Sequence, residues 1–301
     1  MKKILITGGS GLLGSYAAVQ AVEAGWETYA TYSTHPVEIP GCQMLQVDLR
    51  DLEQTVNTIA DIKPQVILHT AAIAKPDICE QRRRDAFEIN VTGTINVIHA
   101  CEKVGAHLVH ISSDMVFSGD RNPIHTTDTL SPTSYYGLTK AAAETAIYAS
   151  DAEWAIVRTS LIYGPCIFPF NESYSDKVLN SLMSGKPIGA FIDQYRPAIP
   201  AWNLADAVLE IADRRLRGIY HVACPEIVTR YQFAIKLAQA FGLDETLIEP
   251  VCVDSTRAIA HRPKMLVLDT IPTAALLNTR LLTFEEGIRQ MKERMDAKTT
   301  K

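Results

Sequence analysis

At 301 residues, the chain is long enough for one or two domains with a sizeable core; its 29 Lys plus Arg against 34 Asp plus Glu (formal charge −5) leave no electrostatic footprint for nucleic acid or an anionic membrane. Six cysteines, at 42, 79, 101, 166, 224 and 252, form no C-x-x-C pair and no metal-ligand spacing, which fits scattered reduced thiols and no metal site. Met1-Lys2-Lys3 precedes too short an apolar stretch for a signal peptide, and no run approaches the roughly 18 apolar residues of a membrane span, so a soluble, cytoplasmic protein is expected.

In chain order, short apolar runs rich in β-formers are predicted strands at 2–7, 27–32, 42–48, 65–70, 106–112 and 154–160. Helix-period stretches lie between several of them, at 11–24, 51–62, 85–104 and 136–149. Such alternation predicts an α/β fold, a doubly wound parallel sheet of the Rossmann type that binds ligands beyond the carboxyl ends of its strands. After residue 160 the alternation weakens and Pro and Gly punctuate the chain; one further strand, 218–223, and a helix, 229–241, are expected. The expected division is a dinucleotide-binding domain over 1–162, with a returning segment at 204–224, and a smaller carboxyl-terminal substrate lobe from 163–203 and 225–301. The one basic run, Arg82 to Arg84, reads as a solvated helix face.

The turn "TGGSGLLG" joins the first predicted strand to the first helix. Gly8 permits the tight turn, Gly11 lets a diphosphate approach the backbone, and Gly14 lets the helix pack close to the strand, while the helix amino end offers N–H groups to phosphate. A bland strand-to-helix turn is the competing reading. In "SYYGLTK", Tyr136 and Lys140 are four residues apart and share a helix face. An ammonium beside a phenol would lower the phenol pKa, so that the pair could exchange a proton with a substrate oxygen near neutral pH. A surface helix pair is the alternative.

With the glycine turn and the serine pair at 112–113, these features resemble the extended short-chain dehydrogenase/reductase family, whose T-G-x-x-G-x-x-G spacing is matched from Thr7 to Gly14. "VDLRD", "HTAA", "NVTG", "ISSDMVFSG", "YGLTKAAAE" and "RTSLIYGP" extend the resemblance over at least residues 1–165. "SSDMVFSG", "RTSLIYG" and "HRPKMLVLDT" look most like the dTDP-4-dehydrorhamnose reductase-like subfamily, and also like its relatives, the regulatory beta subunits of methionine adenosyltransferase.

The resemblance implies roles. Ser113 would hydrogen-bond a substrate carbonyl, Tyr136 would protonate its oxygen as hydride arrives, and Lys140 would bind the nicotinamide ribose and hold the tyrosine pKa down. Cofactor binding would fall to Gly8, Ser10, Gly11, Leu12, Leu13 and Gly14 at the turn and to Tyr32, Ser33 and Thr34 at the end of the second strand. Asp48 and Leu49 would lie by the adenine, Thr70, Ala71 and Ala72 along the cofactor, and Asn90 behind the site with Tyr136 and Lys140. A strand-end turn residue and a helix cap are the plainer readings of Asp48 and Asn90. His69 reads as a buried strand residue. No acidic residue lies in Thr31 to His35, whereas Ser33, Thr34 and His35 offer donors, which predicts a modest preference for NADP (NADPH) over NAD.

Departures narrow the activity. Asp114-Met115 stands where sugar-nucleotide dehydratases carry Asp-Glu, which argues against water elimination, and Leu161 stands where rhamnose-forming reductases often have a sugar-packing tryptophan. Arg196, in "DQYRPAIPAW", is the candidate clamp for a substrate phosphate, with an ordinary surface arginine as the alternative. The expected activity is NAD(P)H-dependent reduction of a keto group on a nucleotide-activated sugar. A cofactor-binding regulatory subunit and an epimerase are the alternatives. The expected partner is the nucleotide-sugar substrate, and a homodimer is left open.

Overall fold

The computed structural model describes residues 2–256 and 258–299. Strand β1 (Lys3–Thr7) leads through the glycine turn into helix α1 (Leu12–Glu23), followed by β2 (Glu27–Tyr32), β3 (Cys42–Gln46), α2 (Leu52–Ile62) and β4 (Val66–His69). Helices α3 (Pro76–Gln81) and α4 (Arg83–Phe87) precede a π-helical turn, Glu88–Thr92, which runs on into α5 (Gly93–Val104). Then come β5 (His107–Ser113), α6 (Tyr135–Tyr148) and β6 (Glu153–Thr159). The stretch expected as one helix over 85–104 is therefore interrupted at the π turn, and π turns of this kind concentrate at functional sites.

The remainder adds β7 (Ile162–Tyr163), α7 (Tyr174–Met183), β8 (Ile188–Phe191), β9 (Tyr195–Arg196), β10 (Ile199–Pro200) and α8 (Ala201–Asp213). It continues through β11 (Gly218–His221), β12 (Val228–Thr229), α9 (Arg230–Phe241), β13 (Ile248–Val251), α10 (Ile271–Leu276) and α11 (Phe284–Thr299). Seven parallel strands form the main sheet in the order β11-β6-β5-β4-β1-β2-β3. Because the order reverses between β1 and β4, a crevice opens at their carboxyl ends, where Thr7 pairs in register with His69.

Side-chain alternation along the strands divides the core in two. Ile4 and Ile6 join the layer under α1 and α8, while Leu5 with Ile67, Leu108 and Ile156 faces Ile59, Val97 and Ile147 of α2, α5 and α6. Strands buried on both faces this way read as unbroken apolar runs rather than alternating ones. The first of these layers runs on into the buried rings of Tyr163, Trp202, Phe233 and Phe284, several of them meeting edge to face. The arginines of the basic run are exposed and pair with Asp85, Glu80 and Glu88. Among the described residues no helix is long and apolar enough to cross a membrane.

Candidate active site

The glycine turn is shaped by contact rather than by sequence preference alone. Gly8 has φ of 72°, and a Cβ there would lie 2.8 Å from the Ala71 Cα; a Cβ on Gly14 would overlap the Gly8 carbonyl oxygen. Above Gly11 only that carbonyl is near, so the turn leaves a backbone cradle open. Gly11 caps α1 without a side-chain acceptor, and no acidic residue sits in the helix's first turn, so its positive end is free to attract phosphate. These features fit a dinucleotide. Leu13 is buried in the core and Leu12 packs against it. The Ser10 carbonyl accepts a hydrogen bond from Asn171 of the smaller lobe at 2.5 Å.

Beside the turn, Thr70 Oγ1 donates to the Thr7 carbonyl at 2.7 Å and the Ala71 amide to Thr7 Oγ1 at 3.3 Å, which brings 70–72 alongside it. At the end of β2 the Ser33 carbonyl is held by Gln46, Tyr32 is partly buried, and Thr34 Oγ1 lies 3.0 Å from His35 Nδ1. Phe170 of the smaller lobe stacks on His35, with centroids 4.6 Å apart. Asp48 is partly buried and holds Arg50 in a two-pronged ion pair, while Leu49 is buried and its carbonyl anchors Asn96.

Ser113 ends β5 and Tyr136 lies in the first turn of α6. The serine hydroxyl donates to Asp114 Oδ1 at 3.1 Å and accepts from the Met115 amide at 3.2 Å, and it is near enough to the Tyr136 phenol to act on its pKa. Helix α6 reaches this position because Ser134 caps it and because Gly137 packs on the Met115 carbonyl, where any Cβ would overlap. Asn90, in the π turn, accepts from the Ile73 amide at 2.8 Å and donates to Thr139 Oγ1 at 3.0 Å; Thr139 in turn donates to the Tyr136 carbonyl. Asn90 thus braces α6 and does not cap a helix. Behind Ser112, Glu144 accepts from Ser112 Oγ at 2.5 Å and from the Arg158 guanidinium through both carboxylate oxygens, all fully buried.

The electrostatics correct one expectation. Burial pushes the Tyr136 phenol pKa up, with Asp114 adding to the rise and Ser113 opposing it; Lys140 does not act on it here. Burial instead lowers Lys140 to about 8, against the pull of Glu144, and its Nζ lies 3.0 Å from His110 Nε2. The lysine therefore points to the strand beneath the helix. His69, as expected, is a buried strand residue, bonded to Thr7 and Thr94 and lowered to about 3 by burial.

Arg196 is not a surface arginine. It is 5 % exposed, ion-paired with Asp114 at 3.4 Å, and donates to the carbonyls of Tyr195 and Pro263. Two arginines that sequence reasoning passed over share its field, Arg230 and Arg262. Arg230 donates to Gln194 and lies over the Tyr174 ring, and burial lowers it to about 10; Arg262 pairs with Asp77. Arg230 Nη1 and Arg262 Nε are buried donors without a partner among the described residues. Arg262 was visible in "HRPKMLVLDT", but nothing in the sequence tied it to Arg230.

The fold is shared with solved structures. A dTDP-4-dehydrorhamnose reductase from Bacillus anthracis, solved in complex with NADP, superposes with a TM-score of 0.87 at 25% identity, over 98% of this chain and 100% of that one. A hypothetical dTDP-4-dehydrorhamnose reductase from Sulfolobus tokodaii superposes at 0.82 with 32% identity, over 95% and 99%. Methionine adenosyltransferase 2 subunit beta of Mus musculus is 29% identical, over 96% of this chain and 86% of its own. A family model matches residues 1–297, and the chain belongs to the RmlD substrate binding domain family.

Proposed function

We propose that the protein is an NADPH-dependent reductase of a keto group on a nucleotide-activated sugar, with a dTDP-linked 4-keto-6-deoxy sugar as its substrate. The observation that carries this is Ser113 at the end of β5 beside the buried Tyr136 phenol, in one fold with an open glycine cradle after β1. A bound reduced nicotinamide supplies the hydride. Tyr136, kept protonated by burial, is the proton donor to the carbonyl oxygen, and Ser113 orients that oxygen. The ammonium of Lys140, which faces His110, would hold the ribose of that cofactor.

Arg196 and Ser160 hold one oxygen of the Asp114 carboxylate, while the other accepts from Ser113 Oγ, the hydroxyl that would turn to the substrate oxygen. The unsatisfied donors of Arg230 and Arg262 suit a diphosphate and take the anchoring role first expected of Arg196. NADPH is favoured over NADH, modestly, because Ser33, Thr34 and His35 close β2 with donors and no acid. The B. anthracis neighbour with NADP supports this choice.

Steady-state kinetics on a panel of nucleotide-linked and free keto sugars tests the reading. Tyr136→Phe should lower turnover by about 10²- to 10⁴-fold with cofactor affinity unchanged within a few-fold. Arg230→Ala should raise KM more than it lowers kcat. Equal efficiency on the free sugar would defeat the assignment. The likeness to a methionine adenosyltransferase subunit supports a second reading, a regulatory subunit working through a protein partner. No turnover on the whole panel, together with a stoichiometric complex with a methionine adenosyltransferase catalytic subunit, would favour it.

A further inference from the structure

Beneath the crevice two imidazoles lie side by side. His69 of β4 and His110 of β5 are fully buried, with ring centroids 5.2 Å apart. The hydrogen bonds fix the form of the first. Thr94 Oγ1 spends its one hydrogen on the Asn90 carbonyl at 2.7 Å, so at 3.0 Å from His69 Nε2 it accepts. His69 is then bare at Nδ1 and receives the Thr7 hydroxyl at 2.7 Å. It ties the first residue of the glycine turn to the helix that carries Asn90.

His110 is different. A lysine ammonium has no lone pair, so across the 3.0 Å contact it must donate and His110 Nε2 must accept. The imidazole proton then sits on Nδ1, a buried atom with no partner among the described residues. Burial, with the nearby Lys140 and His69, keeps His110 from charging. A buried polar ring with one unsatisfied nitrogen costs stability that an apolar residue of similar size would not. What the ring supplies in return is an acceptor for Lys140.

We propose that His110 is a positioning residue that holds the Lys140 ammonium at the floor of the crevice, in register with Tyr136 one helical turn away. This rests on the reductase reading only in giving Lys140 a cofactor to bind. The other ionisable groups around the lysine are Glu144 on its own helix, with Arg158 of β6 behind it, and His69 beyond His110.

The test is the pH profile of NADPH binding, followed by nicotinamide fluorescence, with thermal melting as a control. In the wild type, affinity should fall above about pH 8 as Lys140 loses its proton. His110→Leu should move that fall to lower pH by about one unit, the worth of a charge-assisted hydrogen bond, and His110→Gln, which keeps an acceptor, should bring it back. A wild-type profile in His110→Leu overturns the inference. Should that variant not fold, ¹⁵N NMR of the wild-type imidazoles serves in its place. His110 Nε2 should show a step near pH 8 that Lys140→Met abolishes, and no such step overturns the proposal equally. Failure of the wild type to bind NADPH, with the NMR step present, would defeat the reductase reading and leave the His110–Lys140 contact standing.

Discussion

Lys140 shows how a functional side chain is held against its own solvation preference. Its pKa falls from 10.5 to about 8 because the folded protein withdraws the ammonium from water. Below pH 8 both the folded and the unfolded chain carry this proton, and the burial cost is fully present. Between about 8 and 10.5 only the unfolded chain still binds the proton, so stability rises with pH across that window. Lys140→Met removes the term. We expect the wild type to gain about 3 kcal/mol relative to the variant between pH 7.5 and 10.5, measured by urea unfolding of both proteins at each pH. A difference independent of pH would show that the lysine is charged at no such cost. The YxxxK spacing gave the position of this residue, since one helix face follows from sequence alone. Its partner did not follow, because the contact with His110 depends on how β5 sits under α6.

At the level of elements, α6 is fixed at both ends of its active face. Gly137 lets it touch the Met115 carbonyl, and Glu144 anchors it to Ser112 and Arg158. Gly137→Ala should push the helix off the 3₁₀ turn Asp114–Val116 and part Tyr136 from Ser113. Because a 1 Å misplacement of a catalytic group can cost on the order of 10²-fold, turnover should fall by about that factor while cofactor binding changes little. Unchanged kcat in Gly137→Ala would contradict the packing. Strands β1 to β6 were legible because each is a short apolar run bounded by turn residues. Helices α8 and α11 were not anticipated. The first follows directly on a Pro-rich stretch with Pro200 as its cap, and the second is strongly polar on its outer face. The break of the 85–104 helix was hidden for a related reason: a π turn inserts a residue without disturbing the apolar pattern on either side.

For the whole molecule, the arginine pair is the clearest case of a site that only the fold assembles. Arg230 opens α9, Arg262 lies in the segment after β13, and Asp114 follows β5, yet they act on one another electrostatically. The glycine turn, by contrast, is local in sequence and was readable as written, as was the serine that ends β5.

The path of β11 has a consequence for how the protein comes apart. It returns after β7 to β10 to pair with β6 at the edge of the sheet, and α8 immediately before it packs on α1. The segments before and after Tyr163 are therefore expected to unfold as one cooperative unit. Cutting the chain after Tyr163 would strip a neighbour from β6 and bare the apolar layer that α8 covers, leaving an open edge ready to aggregate. Heating should melt the intact protein in one calorimetric transition, and a fragment spanning residues 1–163 should be recovered only as insoluble material; two resolved transitions, or a soluble folded fragment, would show that the lobes hold together separately.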